Sequence, residues 1–217
     1  MAVHPHVEKV LVIGAGDGGV IRELVQYSDL QHIDMVEVDP LVVEVCKKYL
    51  PKTACRLEDP RLTIHYEDGL KFIRSRQEEY DLIIVDSTDP FGPGEGLFTR
   101  EFYGNCYKAL KEDGILINQH ESPFYPGDAR RLPAGPQEHC GELPHQQGVP
   151  GPHPHLPSGH WLFGFASKKY HPLKDLDETR WNMRGIPCRY YTTTLHKGAF
   201  YIPAYVEELL KHVEKEY

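Results

Sequence analysis

The feature that most constrains this chain is the stretch Lys9–Gly19, KVLVIGAGDGG. Four consecutive apolar residues, Val10–Ile13, lead straight into a glycine-rich turn, and a helical pattern follows from Gly19 through Tyr27. A short, almost unbroken apolar run ending in glycines reads as a buried strand, because a half-exposed strand would alternate. Glycines at a strand-to-helix junction permit a tight turn and let a ligand approach backbone N–H groups. Gly14, Gly16, Asp17, Gly18 and Gly19 fit the spacing G-x-G-x-x-G, with Glu37 at the end of the next strand as an acceptor for ribose hydroxyls. Both a dinucleotide site and a class I S-adenosylmethionine-type site satisfy this pattern, and a plain tight turn is the structural alternative.

Further units repeat the arrangement. His32–Val38, Arg61–Tyr66, Tyr80–Asp86 and Gly114–Gln119 read as strands. Pro40–Tyr49, Leu70–Arg76 and Glu101–Leu110 read as the helices between them. Strands alternating with helices predict an α/β fold built on a Rossmann-like doubly wound parallel sheet. Later, Gly159–Ser167 reads as a strand, Arg189–Thr194 as an extended segment and Pro203–Glu216 as an amphipathic helix. Residues 126–157 break the pattern. They hold eight of the eighteen prolines, five glycines and no Phe, Trp or Tyr. That density predicts neither helix nor strand there.

Composition narrows the function classes. Twenty-four basic against 32 acidic residues give a net charge of −8, which disfavours nucleic acid and suits a cationic partner. The five scattered cysteines form no C-x-x-C pair, which argues for a reducing compartment and against a zinc knuckle. No apolar run is long enough to cross a bilayer and the N-terminus has no signal-peptide pattern, so a cytoplasmic protein is expected. His153 and His155 lack convincing ligand spacing, and no metal is expected.

The chemistry concentrates in Asp86-Ser87-Thr88-Asp89-Pro90. Two carboxylates three residues apart leave the carboxyl end of a buried strand, the edge where open α/β sheets bind ligands. A carboxylate there can hold an ammonium group and then accept its proton, and a pair of acids suits a diamine. The alternative is a capping and turn segment, which Asp and Ser also favour. Asp68-Gly69, after the third strand, can accept from an adenine amino group or can cap a helix.

The segments KVLVIGAGDGG, VEVDP, YEDG, DSTDPFGPGEGLFTREFY, ALKEDGILINQ and PSGHWLFGFASK together resemble the polyamine aminopropyltransferases, spermidine synthases among them. The resemblance covers about residues 5–125 and 157–210, and Asp86–Tyr103 is its most specific block. It implies a sheet of the class I S-adenosylmethionine-dependent methyltransferase type, with residues 1–217 as one catalytic domain. It also implies aminopropyl transfer from decarboxylated S-adenosylmethionine, a co-substrate, to putrescine, with no prosthetic group and commonly in a homo-oligomer. By match, Asp86 is the general base and Asp89 holds the diamine. Asp17 sits by the donor's aminopropyl ammonium, and Glu37 takes the ribose. Asp68 and Gly69 take the adenine, Pro93 lines the donor pocket, and Gln119 lies on the diamine side. The other readings are a small-amine methyltransferase using S-adenosylmethionine, a catalytically dead homologue and, more distantly, an NAD oxidoreductase. Cadaverine, agmatine and spermidine stay open as acceptors.

The chain departs from that family in two places. It starts almost at the first Rossmann-like strand, so the family's small N-terminal β-domain is expected to be absent. Where the family closes a tyrosine over the diamine, this chain has Leu156. An allowed codon choice for Gln137–Pro157, shifted by one base, reads KSIVGSFPISRVYQAHIPTYP, which is family-like. We therefore read residues 131–157 as a frameshifted segment; the alternative is a disordered insertion loop rich in Pro and Gly. Loss of a covering helix there, with the N-terminal domain, predicts a marginally folded chain with little or no activity.

Overall fold

The computed structural model describes residues 1–87, 92–120, 145–152 and 160–210. KVLVI forms β1 (Lys9–Gly14), which sends Val10 and Val12 into one hydrophobic cluster and Leu11 and Ile13 into another on the opposite face. Successive side chains of a strand point to opposite faces, so a strand covered on both sides reads as continuously apolar. β2 (His32–Glu37) and β4 (Tyr80–Asp86) are split the same way, Met35 against Val36 and Leu82 against Ile83. β3 (Leu62–Tyr66) and β5 (Leu110–Gln119) complete the parallel part, where β1 pairs with β2 and β4, β2 with β3, and β4 with β5.

Helices cover both faces. α1 (Gly19–Leu24) and α2 (Pro40–Tyr49) place Ile21, Leu24, Val43 and Cys46 on the first cluster. α3 (Gly69–Ile73) and α4 (Arg100–Ala109) place Phe72, Ile73, Phe102 and Cys106 on the second. Side chains cap three of these helices: Asp39 accepts from Leu41 N, Asp68 from Lys71 N and Thr99 from Phe102 N. Each such cap is worth about 1 kcal/mol. The sheet runs β3-β2-β1-β4-β5-β7-β6. The chain winds outward from β1 to β3, then returns to β4 on the other side of β1. The connections after β1 and β4 therefore leave in opposite directions, opening a crevice at the carboxyl ends of those strands.

Two further strands extend this doubly wound, mostly parallel sheet beyond β5. β7 (His160–Ser167) pairs antiparallel with β5, so the sheet is mixed, with one reversed strand. Within the proline-rich stretch, His145–Pro152 forms β6, antiparallel to β7, where no strand was expected. Position explains it. The Leu162 carbonyl accepts from His120 N, so Leu162 and its even-numbered neighbours in β7 turn their backbone polar groups toward β5. Pro150 and Pro152 stand opposite Leu162 and His160, at sites that form no bond with β7. β6 is the edge strand, so both proline nitrogens face the open side and no ladder bond is lost.

The carboxyl-terminal part has α5 (Glu178–Met183), α6 (Thr193–Gly198) and α7 (Ala204–Leu210). Arg189–Thr194 is not a strand. Thr192 caps α6 by accepting from Leu195 N, so this β-branched run starts a helix. The expected helix Pro203–Glu216 is present as α7, and its last six residues lie outside the described residues. Among the described residues, no helix is long and apolar enough to cross a membrane.

Candidate active site

The crevice between β1 and β4 is built by backbone before side chains. Gly14, at the end of β1, pairs with Asp86 at the end of β4 and has φ of 83°. A Cβ at Gly14 would run into the Asp86 carbonyl oxygen, so only glycine lets the two strand ends meet. Ala15 then takes φ of 59°, unusual for a residue with a side chain, and its N–H donates to that carbonyl at 3.0 Å. Gly16 is also tight: a Cβ there would lie 2.7 Å from Glu37 Oε2 and 2.8 Å from Val42 Cγ1. The turn thus brings bare backbone against a carboxylate and holds the Asp86 segment in place.

A cavity of about 580 Å³ opens above this turn. Its lining collects Gly14, Gly16, Asp17, Glu37, Asp68 and Gly69 from the expected donor-binding set. Asp86 and Gln119 join them from the ends of β4 and β5. Those eight residues span more than a hundred positions, and one sheet edge gathers them. Gly18 does not line the cavity. It is the left-handed N-cap of α1, where an added Cβ would lie 2.9 Å from Leu57 Cγ. Its role is to shape the turn. Pro93 falls in the 3₁₀ helix Gly92–Phe98, whose Gly94, Gly96 and Leu97 line the cavity. The Pro93 side chain lies outside the described residues, as do Asp89 and Leu156.

Three of the acids share one local geometry. Asp17 Oδ1 accepts from Gly19 N at 3.0 Å, Glu37 Oε1 from Asp39 N at 3.1 Å and Asp68 Oδ1 from Lys71 N at 2.8 Å. In each, one oxygen is fixed by backbone two or three residues on. The second oxygen has no hydrogen-bond partner among the described residues. The capping interpretation of Asp68 and its binding role are therefore compatible, since one oxygen does each. With Asp86, four carboxylates line the cavity, and among its described lining residues there is no Lys, Arg or His. Such a surface takes a ligand rich in positive charge and hydroxyl or amino donors.

The apolar walls were not foreseen. Val38, Val42, Leu70 and Leu97 flank the acids. In a sequence they look like any helix or strand position. Only the unusual exposure of Val38 and Val42, 58% and 39%, separates them from core.

A larger cavity, about 790 Å³, lies on the first-cluster face of the sheet against Leu82, Ile115, Ile117 and Phe165. Several of its polar groups are already engaged. The Tyr191 hydroxyl lies 3.0 Å from His196 Nδ1, His196 Nε2 is 3.0 Å from the Pro172 carbonyl, and Arg22 Nε donates to Glu23 at 2.8 Å. Size alone does not make it the site; convergent unengaged acceptors mark the smaller cavity. Among the described residues, no group of three or more His, Cys, Asp or Glu is placed to hold a metal ion.

Comparison with known proteins agrees with the geometry. A family model described as the spermine/spermidine synthase domain matches residues 1–177. The polyamine aminopropyltransferase of Lachnoclostridium phytofermentans is 60% identical over 214 residues, covering 99% of this chain and 76% of that protein. That of Clostridium beijerinckii is 60% identical over 210 residues, covering 97% and 74%. A crystal structure of spermidine synthase with the transition state analogue AdoDATO superposes with a TM-score of 0.92 at 38% identity, covering 97% of this chain and 71% of that one. Spermidine synthase from Thermotoga maritima gives 0.89 at 36%, covering 98% and 70%.

Proposed function

The chain belongs to the spermine/spermidine synthase family, and from that premise we propose that it transfers an aminopropyl group from decarboxylated S-adenosylmethionine to putrescine. The products are spermidine and methylthioadenosine. One observation carries the assignment to this site: a cavity at the β1/β4 crevice lined by four carboxylates and, among the described residues, no cationic side chain. The donor is a sulfonium with a free amine and no carboxylate. Acids around it favour this donor and repel S-adenosylmethionine, which carries a carboxylate. A relative solved with AdoDATO, named a transition state analogue, supports the same reaction class.

The roles are those the family resemblance implies, and the geometry of the cavity supports them. Glu37 and Asp68 each offer an unengaged oxygen, Glu37 toward the ribose hydroxyls and Asp68 toward the adenine amino group. Val38, Val42, Leu70 and Leu97 form the apolar walls for the base. Asp17 faces the aminopropyl ammonium. Asp86, pinned through its own carbonyl by Ala15 N, receives the proton of the attacking amine. The neutral amine nitrogen forms a bond to the propyl carbon beside sulfur. The carbon–sulfur bond breaks, and its electron pair neutralises the sulfonium as methylthioadenosine departs. The reaction needs alignment, a deprotonated amine and exclusion of water; no redox partner enters the balance. By the resemblance, Asp89 and Gln119 serve the diamine and Pro93 the donor; of these, Gln119 lines the cavity among the described residues.

The test is direct. Purified chain is incubated with putrescine and decarboxylated S-adenosylmethionine, and spermidine and methylthioadenosine are followed by mass spectrometry. Product from the native chain, lost about a thousandfold in Asp86→Asn, is the expected result. Methylated diamine formed from S-adenosylmethionine, with no spermidine from the decarboxylated donor, would replace this reading with a methyltransferase.

A further inference from the structure

We propose that Asn118 and His120 form a positioning pair that holds Gln119 at the acceptor side of the cavity and so sets affinity for the diamine. The proposal rests on the aminopropyltransferase reading of that cavity. Gln119 is the last residue of β5, lines the cavity, and its Nε2 donates to the Ser87 carbonyl at 3.4 Å, next to Asp86. A contact that long does not fix an amide by itself. The residues on either side are held much more firmly, on the other face of the strand.

Asn118 is buried. Its Nδ2 donates to the Tyr103 hydroxyl at 2.8 Å and lies 3.0 Å from His120 Nε2. An amide nitrogen has two hydrogens and no lone pair to offer, so His120 Nε2 is the acceptor and the ring is neutral. Burial keeps it so, pushing the His120 pKa down to about 4. The backbone is tied as well: His120 N donates to the Leu162 carbonyl at 2.9 Å. Across the ladder, Asn118 stands opposite Gly164. A Cβ at Gly164 would overlap Asn118 Oδ1 and come within 2.7 Å of His120 Nε2, so the neighbouring strand leaves room for this pair and nothing more. Tyr103 is the buried end of the Asp86–Tyr103 block, on α4. The network therefore connects that block to the end of β5, and it gives the buried Tyr103 hydroxyl a partner within a largely apolar cluster.

His120 is not among the described lining residues of the cavity, so its effect must reach the acceptor through Gln119. The experiment compares native chain, His120→Ala and His120→Gln, with putrescine and decarboxylated S-adenosylmethionine as probes. Each ligand is titrated by calorimetry, and steady-state KM and thermal melting are measured alongside. His120→Ala is expected to weaken putrescine about tenfold, as loss of one positioning hydrogen bond implies, while donor affinity moves less than about twofold. His120→Gln, whose carbonyl oxygen can accept from Asn118, is expected to restore putrescine affinity to within about threefold. Tyr103→Phe, which keeps the ring in the core, is expected to weaken putrescine without weakening the donor. Equal putrescine affinity in native and His120→Ala chains would overturn the pairing alone. So would parallel loss of both ligands with a lowered melting point, which indicates a purely structural role. Native chain that binds neither probe would remove the functional reading and the pairing together.

Discussion

β1 and β6 belong to one sheet and obey opposite rules. β1 lies inside, with a strand on each side and hydrophobic clusters on both faces, and its residues KVLVIG could belong to almost nothing else. β6 has one neighbour and the sequence HQQGVPGP, which no strand propensity would select. An interior strand has its nitrogens, carbonyls and both side-chain rows specified by its surroundings. An edge strand needs only half of its backbone groups paired, and the two prolines of β6 occupy the other half. The lesson is about where the site had to be: the crevice lies between β1 and β4, in the fully specified part, and the tolerant edge carries none of its described lining.

This contrast can be tested in order of expected effect. Asp86→Asn, at the interior crevice, should cost about a thousandfold in turnover with little change in stability, read by product assay and thermal melting together. Val12→Ala should empty part of the first cluster and cost about 2 kcal/mol in denaturant unfolding. Next comes acid. An unfolded histidine takes up a proton near its ordinary 6.5. In the fold, burial lowers the pKa of His4, His120 and His196, His120 to about 4. Between those limits the unfolded chain binds more protons than the folded one, so stability should fall as pH drops from 6.5 toward 4. A melting point flat across that acid interval would show that the three histidines are not held neutral in the fold.

The smallest effects lie at the edge and split by parity. Val149 stands opposite Phe163 at a hydrogen-bonded site, so Val149→Pro should remove a ladder bond and cost about 1 kcal/mol. Pro150→Val, one residue on, faces away from β7 and should stay within about 0.5 kcal/mol of native. Equal costs at 149 and 150 would break the account of why prolines are tolerated here.

Much of the site was legible in the sequence because its residues follow buried strands. Gly14, Glu37, Asp68, Asp86 and Gln119 each stand at or just beyond the carboxyl end of an apolar run, and a doubly wound sheet aligns those ends on one edge. Gly18 was read as ligand-binding because glycine spacing does not separate a residue that faces the ligand from one that turns the chain. Val38, Val42, Leu70 and Leu97 were missed because an apolar wall and an apolar core use the same residues. The frameshift reading of residues 131–157 concerns the coding sequence. Resequencing the gene tests it, and an error-free, in-frame transcript containing this stretch would overturn the sequencing-error version.

By itself, the sequence determined the alternation of strands and helices, the two-sided burial of β1 and β4, and the identity of the acids at the strand ends. Local rules suffice for these, because hydrophobic period and turn chemistry act over a few residues. Three things were decided only by the tertiary structure. One was the reversal of β7. Another was recruitment of β6 to an edge its composition argues against. The third was the Tyr103–Asn118–His120 network behind Gln119. Each depends on which backbone or side-chain partner stands opposite, and that partner comes from a distant part of the chain.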